Sequence, residues 1–364
     1  MTDIKGLRLY LPPFAPDTSG AASVLYPLGG LVVIVDAGGC AGNICGFDEP
    51  RTDLPDPSVM TSAGLRDMDA IMGRDDRLLA KVKKALQQDA GTASPPFSFL
   101  ALVGTPVPAV IGTDLTALAH LAEKQTGLPC IAVASNGIHA YDRGASAALF
   151  ALVQKFTRPC QTVPGKLGVL GVTPLDFTLS EQKTLRESLL TCGWEQVSLL
   201  GADGLASLRE AAGCERLLVV SPSGLAAAEY LHEKLGLAYD TVFPQELTFP
   251  LWTAIKQQLP RESKRLLIIQ QQFAANALRD FLHTCLPEGE IICGTCFELV
   301  PQLAEAGDFL FREEAEFQTA AQSFDIIIGD SLLRRTLPGF KGTWIDYPHF
   351  AVSGKTYITN GVHN

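Results

Sequence analysis

The stretch FSFLALVGTPVPAVIGTDLTALAHLAEKQTGLPCIAVAS, residues 97–135, decides the fold. Its two ends, FSFLALVG (97–104) and LPCIAVAS (128–135), are short, nearly continuous apolar runs, the pattern of strands covered on both faces. Between them DLTALAHLAEKQTG (114–127) is rich in Ala and Leu. Asp114 stands where a helix N-cap belongs and Gly127 where a helix ends. Strand, helix and strand in that order make a βαβ unit, which implies two parallel strands.

The same grammar extends in both directions. GGLVVIV (29–35) precedes it as a strand and DRLLAKVKKALQQ (76–88) as a helix, and GASAALFALVQKF (144–156) follows as a helix. TRPCQTVPGK (157–166) lacks periodicity and carries two prolines and a glycine, which marks a boundary. The alternation then restarts with strands at KLGVLGV, QVSLLG and RLLVVS (216–221) and helices at 180–193 and 223–236, where Gly236 is the expected stop. A second boundary near LPRESK (259–264) precedes RLLIIQ, the helix ANALRDFLHTC, EIICGTCF, FDIIIGD and GTWIDYP. The expected fold is therefore α/β, with three Rossmann-like, doubly wound parallel-sheet domains at 1–160, 161–260 and 261–364. No repeat is tight enough for a solenoid.

A chain of 364 residues is long enough for two or three domains of roughly 100–150 residues. No apolar run approaches the roughly 18–20 residues that cross a bilayer. The first residues lack a basic segment followed by an apolar stretch and a cleavage site, so a cytoplasmic location is expected, with no membrane partner. A net charge of −10 argues against nucleic acid, whose binding needs a basic surface. Nine scattered cysteines do not form a disulfide framework, which leaves packing, metal ligation or redox chemistry for them.

In open parallel sheets ligands sit beyond the carboxyl ends of the strands. Asp36, Cys40 and Cys45 fall there after the first strand, Thr105, Pro106 and Asn136 after the next two, and Ser221 and Ser223 in the second series. Cys293, Cys296, Asp330 and His349 fall there in the third. Cys40 and Cys45 lie in DAGGCAGNICG (36–46), where Gly39 and Gly42 permit close backbone approach to a cluster. Two thiolates are half of a cluster's ligands, and a two-fold dimer would supply four. The alternative is two small buried residues at a strand-to-helix turn. CGTC (293–296) is a C-x-x-C without a second pair, so zinc is poorly supported and packing is the simpler role. Cys130, Cys160, Cys192, Cys214 and Cys285 are isolated. His349, in DYPHFAVSG, is the most suggestive of the six histidines. Metalloprotease, nucleophile-elbow, P-loop and dinucleotide fingerprints are all absent from the sequence.

Several stretches together resemble the nitrogenase component 1 superfamily, whose members include the nitrogenase molybdenum–iron subunits, their cofactor-assembly scaffold, dark-operative protochlorophyllide reductase and Ni-sirohydrochlorin a,c-diamide reductive cyclase. They are GGCAGN (38–43), AIMGRDDRLLAKV (70–82), VIGTDLTALAHLAEKQTGLPCIAVASNG (110–137), LLVVSPSGLAAAEYLHEKLGL (217–237), RLLIIQQQFAANALRDFL (265–282), and FDIIIGDSLLRRTLP with YPHFAVSG (324–354). The resemblance implies three Rossmann-like domains, paired subunits and a cluster at the subunit interface, with Cys40 at one ligand position.

The departures from the family pattern are specific. TSGAAS (18–23) stands where an upstream family cysteine falls, and Thr105 and Pro106 stand where another does. Cys45 is not a usual family position. Ser221 replaces the cofactor cysteine and Pro348 the cofactor histidine, one residue before His349, so those ligands of a nitrogenase active-site cofactor are missing. The length is closer to the compact tetrapyrrole-reducing members.

The resemblance thus implies a nitrogenase-like oxidoreductase subunit, homodimeric or paired with a related chain. A [4Fe–4S] cluster held by Cys40 and Cys45 of both chains would take electrons from an ATP-dependent iron–sulfur reductase and pass them to a small-molecule substrate. Ser221, Ser223, Asn136 and His349 are the candidate cleft residues. The alternatives are a scaffold or carrier for a metal cluster or cofactor, and a binding module without a cluster.

Overall fold

A computed structural model describes residues 15–36, 39–46, 58–65, 75–89, 97–260 and 265–354. Three parallel sheets carry the fold. The first, in the order β2-β1-β3-β4, comprises β1 (Leu31–Val35), β2 (Val59–Ser62), β3 (Leu100–Gly104) and β4 (Cys130–Val133). The second, in the order β6-β5-β7-β8, comprises β5 (Lys166–Leu170), β6 (Gln196–Leu199), β7 (Arg216–Val219) and β8 (Tyr239–Thr241). The third runs β11-β10-β9-β12-β13, from β9 (Arg265–Ile269), β10 (Glu290–Thr295), β11 (Phe309–Leu310), β12 (Ile326–Gly329) and β13 (Thr343–Asp346).

Helices link the strands as the βαβ pattern demands. In the deciding stretch, β3 and β4 pair in parallel with Leu100 beside Cys130. The helix Leu115–Thr126 between them is capped by the Asp114 carboxylate, which accepts from Ala117 N at 2.9 Å, and it ends at Gly127 with φ of 75°. All five residues of β1 and of β3 are buried, and each such large apolar side chain contributes about 1.5–3 kcal/mol over exposure. The described residues group into two compact units, one spanning Ala15–Thr241 with the first two sheets and one from Val242 onward with the third.

Among the helices that do not follow from apolar periodicity, four stand out. Asp17–Leu25 is buried along all nine residues, so it has no polar face to reveal a period. It lies against the helix Tyr141–Phe156 at backbone contact: a Cβ on Gly20 would sit 1.8 Å from the Tyr141 carbonyl oxygen, and one on Gly144 1.7 Å from that of Asp17. This helix occupies the segment TSGAAS, where small side chains permit the close approach. Gln245–Gln258 carries Pro250 inside it, which reads as a break. Its Trp252 nevertheless packs on Phe281 and donates its indole N–H to Tyr347 Oη at 3.2 Å. Pro106–Val110 holds two prolines in five residues, and Cys40–Gly46 holds two glycines within a seven-residue helix, where the sequence suggests only a turn.

Candidate functional site

The strand order places a switch point in each sheet, where chain connections leave in opposite directions and a crevice opens at the carboxyl ends. In the first sheet it lies between β1 and β3, whose registered ends are Val35 and Gly104. In the second it lies between β5 and β7, and in the third between β9 and β12. The candidate residues distribute over these three rims.

At the first rim, Asp36 follows β1 and is fully buried. Its Oδ1 accepts from Ser62 Oγ at 2.5 Å and from Gly64 N at 3.4 Å, and its Oδ2 accepts from Ala41 N at 3.3 Å. Thr105 Oγ1 donates to Val35 O at 2.7 Å, which ties the exit of β3 to that of β1. Cys40 opens the helix Cys40–Gly46 with a half-buried thiol. Cys45 lies on the backbone of the same helix, and its side chain is outside the described residues, as are Ala37 and Gly38.

Gly39 and Gly42 are exposed, neither has positive φ, and a Cβ on either would meet nothing within 4 Å. Glycine inside a helix costs about 1 kcal/mol relative to alanine. Nothing among the described residues of this chain requires it here.

Apart from the buried Asp36, three described segments at this rim carry no charge. Residues 39–46, 104–113 and 134–138 contain no Asp, Glu, Lys or Arg. Val110 is 81% exposed and Ile138 65%, with Val107 and Ile111 also exposed. The two outer segments touch, since a Cβ on Gly137 would lie 2.8 Å from Pro106 Cγ.

Asn136, after β4, is spent on local structure. Its Oδ1 accepts from Ile138 N at 2.8 Å and from His139 N at 3.3 Å, and its own N–H donates to the buried Asp17 carboxylate at 3.0 Å. Gly137 N donates to the other Asp17 oxygen at 2.6 Å. Burial raises the Asp17 carboxyl above its ordinary value against the pull of these N–H donors.

At the second rim Ser221 is fully buried and donates to Gly171 O at 2.7 Å. Ser223 is also fully buried, and its hydroxyl has no hydrogen-bond partner among the described residues. Nearby, Tyr141 Oη donates to Asp176 Oδ1 at 2.5 Å and Thr173 Oγ1 to Asp176 Oδ2 at 2.6 Å. Neither Asp17 nor the Tyr141–Asp176 pair belongs to a sequence motif. The only local signal is the helix-opening Pro16-Asp17 before a run of small residues.

The third rim centres on Asp330, buried after β12. It accepts from His349 N at 3.0 Å, Ser353 Oγ at 2.5 Å and Leu332 N at 2.8 Å. His349 Nδ1 accepts from Ala351 N at 3.1 Å, which leaves Nε2 as the ring's N–H. The Phe297 ring lies 5.0 Å away, centroid to centroid.

Cys293 is a buried residue inside β10, and burial pushes its thiol well above the ordinary value, so it is held protonated, the setting of a packing residue. Cys296 is half-buried after the strand. Burial also pushes Cys130 up to about 12 and Cys214 up to about 11. In the native protein at pH 8, iodoacetamide is expected to label the exposed Cys160 and Cys192 and to spare Cys130, Cys214 and Cys293 until denaturant is added. Site-resolved mass spectrometry reads this, and native labelling of Cys293 would contradict it.

Among the described residues no three His, Cys, Asp or Glu side chains converge to hold a metal ion, and no helix is long and apolar enough to cross a membrane. The thiol at the first rim, with bare glycines beside it, fits a group approached from outside the chain.

Parallel sheets with polar groups and thiols at their switch points define a multi-sheet doubly wound α/β protein. The family model of nitrogenase component 1 type oxidoreductases matches residues 17–288, and the chain belongs to that family. It is similar to the nitrogenase iron-molybdenum cofactor biosynthesis protein NifE of Sinorhizobium fredii (strain NBRC 101917 / NGR234), at 30% identity over 179 residues. That match takes in 47% of this chain and about a third, 34%, of the relative's length. Among solved structures, nitrogenase Cp1 at pH 6.5 superposes with a TM-score of 0.65 at 14% identity, covering 95% of this chain and 88% of that one. Nitrogenase Cp1 at pH 5 gives 0.64 at 13% identity, covering 94% and 83%. These structures share the fold.

Proposed function

We propose that the chain is a nitrogenase-like oxidoreductase subunit whose Cys40 and Cys45, together with those of a second copy, hold one [4Fe–4S] cluster at a two-fold interface. The cluster would supply one-electron transfer, fed by an ATP-dependent iron–sulfur reductase, toward a small-molecule substrate. Ser221, Ser223, Asn136 and His349 are carried as the candidate substrate-facing residues, Asn136 with its Oδ1 and backbone N–H already held by its turn and by Asp17, and a division at 1–160, 161–260 and 261–364 is part of the same proposal.

The observation that carries this reading is the pair of bare glycines beside Cys40, which neither backbone conformation nor packing among the described residues explains. The uncharged segments 39–46, 104–113 and 134–138, with Val110 and Ile138 exposed, support a second copy as the occupant. Two chains of charge −10 repel except where they meet on uncharged faces.

The test is anaerobic purification with iron and sulfide measured per dimer and the visible spectrum recorded, for the wild type and for Cys40→Ala and Cys45→Ala. Stoichiometric iron in the wild type and its loss in both variants is the expected result. An iron-free wild type, or iron that survives both substitutions, sinks the reading. A companion substitution, Gly42→Ala, is expected to raise the stability of the isolated chain by up to about 1 kcal/mol and at the same time weaken dimerisation, read by melting and by analytical ultracentrifugation.

The likeness to NifE, a cofactor biosynthesis protein, favours a second reading, a scaffold that carries a cluster without turning over a substrate. Transfer of the intact cluster to an apo-acceptor marks the scaffold. ATP-dependent reduction by a component 2 type reductase marks the oxidoreductase.

A further inference from the structure

The Asp36 carboxylate does more than close the end of β1. Its two oxygens face opposite ways along the rim. Oδ2 takes the N–H of Ala41, the residue after Cys40, and Oδ1 takes the hydroxyl of Ser62 and the N–H of Gly64 at the exit of β2. The Asp36 carbonyl accepts from Leu65 N at 2.9 Å, so backbone and side chain of one residue both hold the β2 exit.

That exit is itself fastened from outside the sheet. Lys81, on the helix Asp75–Asp89, donates its ammonium to the carbonyls of Ala63 and Gly64, the latter at 2.5 Å. Gly64 adopts φ of 49°, the left-handed conformation that turns both its N–H toward Asp36 and its carbonyl toward Lys81. A chain of contacts thus runs from Lys81 through 63–64 and Ser62 to Asp36 and on to the Cys40 turn. It acts beside the burial of Ala41 and Ile44, the apolar residues that seat the same short helix.

We propose that Asp36 is the positioning residue for the Cys40 thiol, clamping the glycine turn to the exit of β2 so that the sulfur is presented in one orientation. This rests on Cys40 being a cluster ligand, yet the clamp itself is measurable without any metal. A buried carboxylate suits this point because one side chain accepts from Ser62 Oγ through one oxygen and from Ala41 N through the other, which the single acceptor atom of an amide or hydroxyl does not do; Gly64 N, bonded at 2.9 Å to Ser62 Oγ, lies at 3.4 Å from Oδ1.

The experiment uses the full chain in metal-free form. Iodoacetamide alkylation of Cys40 is followed by site-resolved mass spectrometry, with Cys160 and Cys192 in the same molecules as references. Asp36→Asn and Ser62→Ala are compared with wild type, and the visible absorption after iron and sulfide reconstitution is recorded for each.

Both variants are expected to speed Cys40 alkylation about threefold or more relative to the references, in line with loss of one buried hydrogen bond, and to lower the reconstituted absorption. Acceleration in Asp36→Asn alone would mean that charge acts without a clamp and would overturn the proposal. So would rates that move no more than those of Cys160. Should the wild type take up no iron while both variants still accelerate Cys40, the cluster reading fails and the clamp stands.

Discussion

Gly144→Ala is expected to destabilise the chain by about 3 kcal/mol or more, the upper end of what an inserted methyl costs in a packed core. The added carbon would lie 1.7 Å from the carbonyl oxygen of Asp17, and the matching carbon on Gly20 1.8 Å from that of Tyr141. Both obstacles are backbone, so no side-chain rotation relieves them, and the two helices would have to separate by more than an ångström. Separation would also strain the bonds that Asn136 and Gly137, in the segment leading into the second helix, make to the Asp17 carboxylate at the start of the first. For a unit of this size the loss corresponds to a fall in Tm of roughly 6–12 °C. Thermal melts followed by circular dichroism measure it, with Gly193→Ala as a poor comparator, since its φ of 106° strains any side chain, and Gly42→Ala as the proper one. A shift under about 2 °C for Gly144→Ala would show that the helices do not meet backbone to backbone.

Asp308→Ala is the second large effect, expected at about 3–5 kcal/mol in the unit that contains the third sheet. The Arg279 side chain is only 2% exposed, and its Nη1 donates to both Asp308 oxygens, at 2.7 and 2.9 Å. Asp308 also accepts from Cys293 N at 2.8 Å and Glu305 N at 2.9 Å, so its removal strands a buried cation and two N–H groups at once. The partly exposed Glu305, 3.1 Å from Nη2, is too solvated to take its place. The double substitution Asp308→Ala with Arg279→Met removes the cation as well and is expected to recover most of the loss. Urea titration of all three proteins reads it. If the single variant loses less than about 1 kcal/mol, the pair is not the buried ion pair its geometry describes.

The sheets were legible because their central strands are continuous apolar runs bounded by caps that sequence displays openly. Asp114 and Gly127 bracket their helix as written, and Gly236 ends its own in the left-handed conformation. The short edge strands β2, β8 and β11 were not legible, since two to four half-exposed residues carry no period. The site divides the same way. Position after a strand singled out Asp36, Cys40, Ser221, Asp330 and His349, because strand ends follow from strands. What each polar atom bonds did not follow. Asn136 proves to be a turn-former and Asp17 its distant partner, a pairing set by tertiary contact across 119 residues.

That distance has a consequence in time. The helix Asp17–Leu25 buries all its residues, chiefly against the helix Tyr141–Phe156, so during synthesis it emerges well before the surface it needs. At translation speeds of roughly 5–20 residues per second, residues 17–25 wait on the order of 6–25 s for residues near 141 to follow. The earliest helix among the described residues therefore finds its place only after residues 141–156 have emerged, and the small residues that let it dock so closely leave little apolar surface to aggregate while it waits.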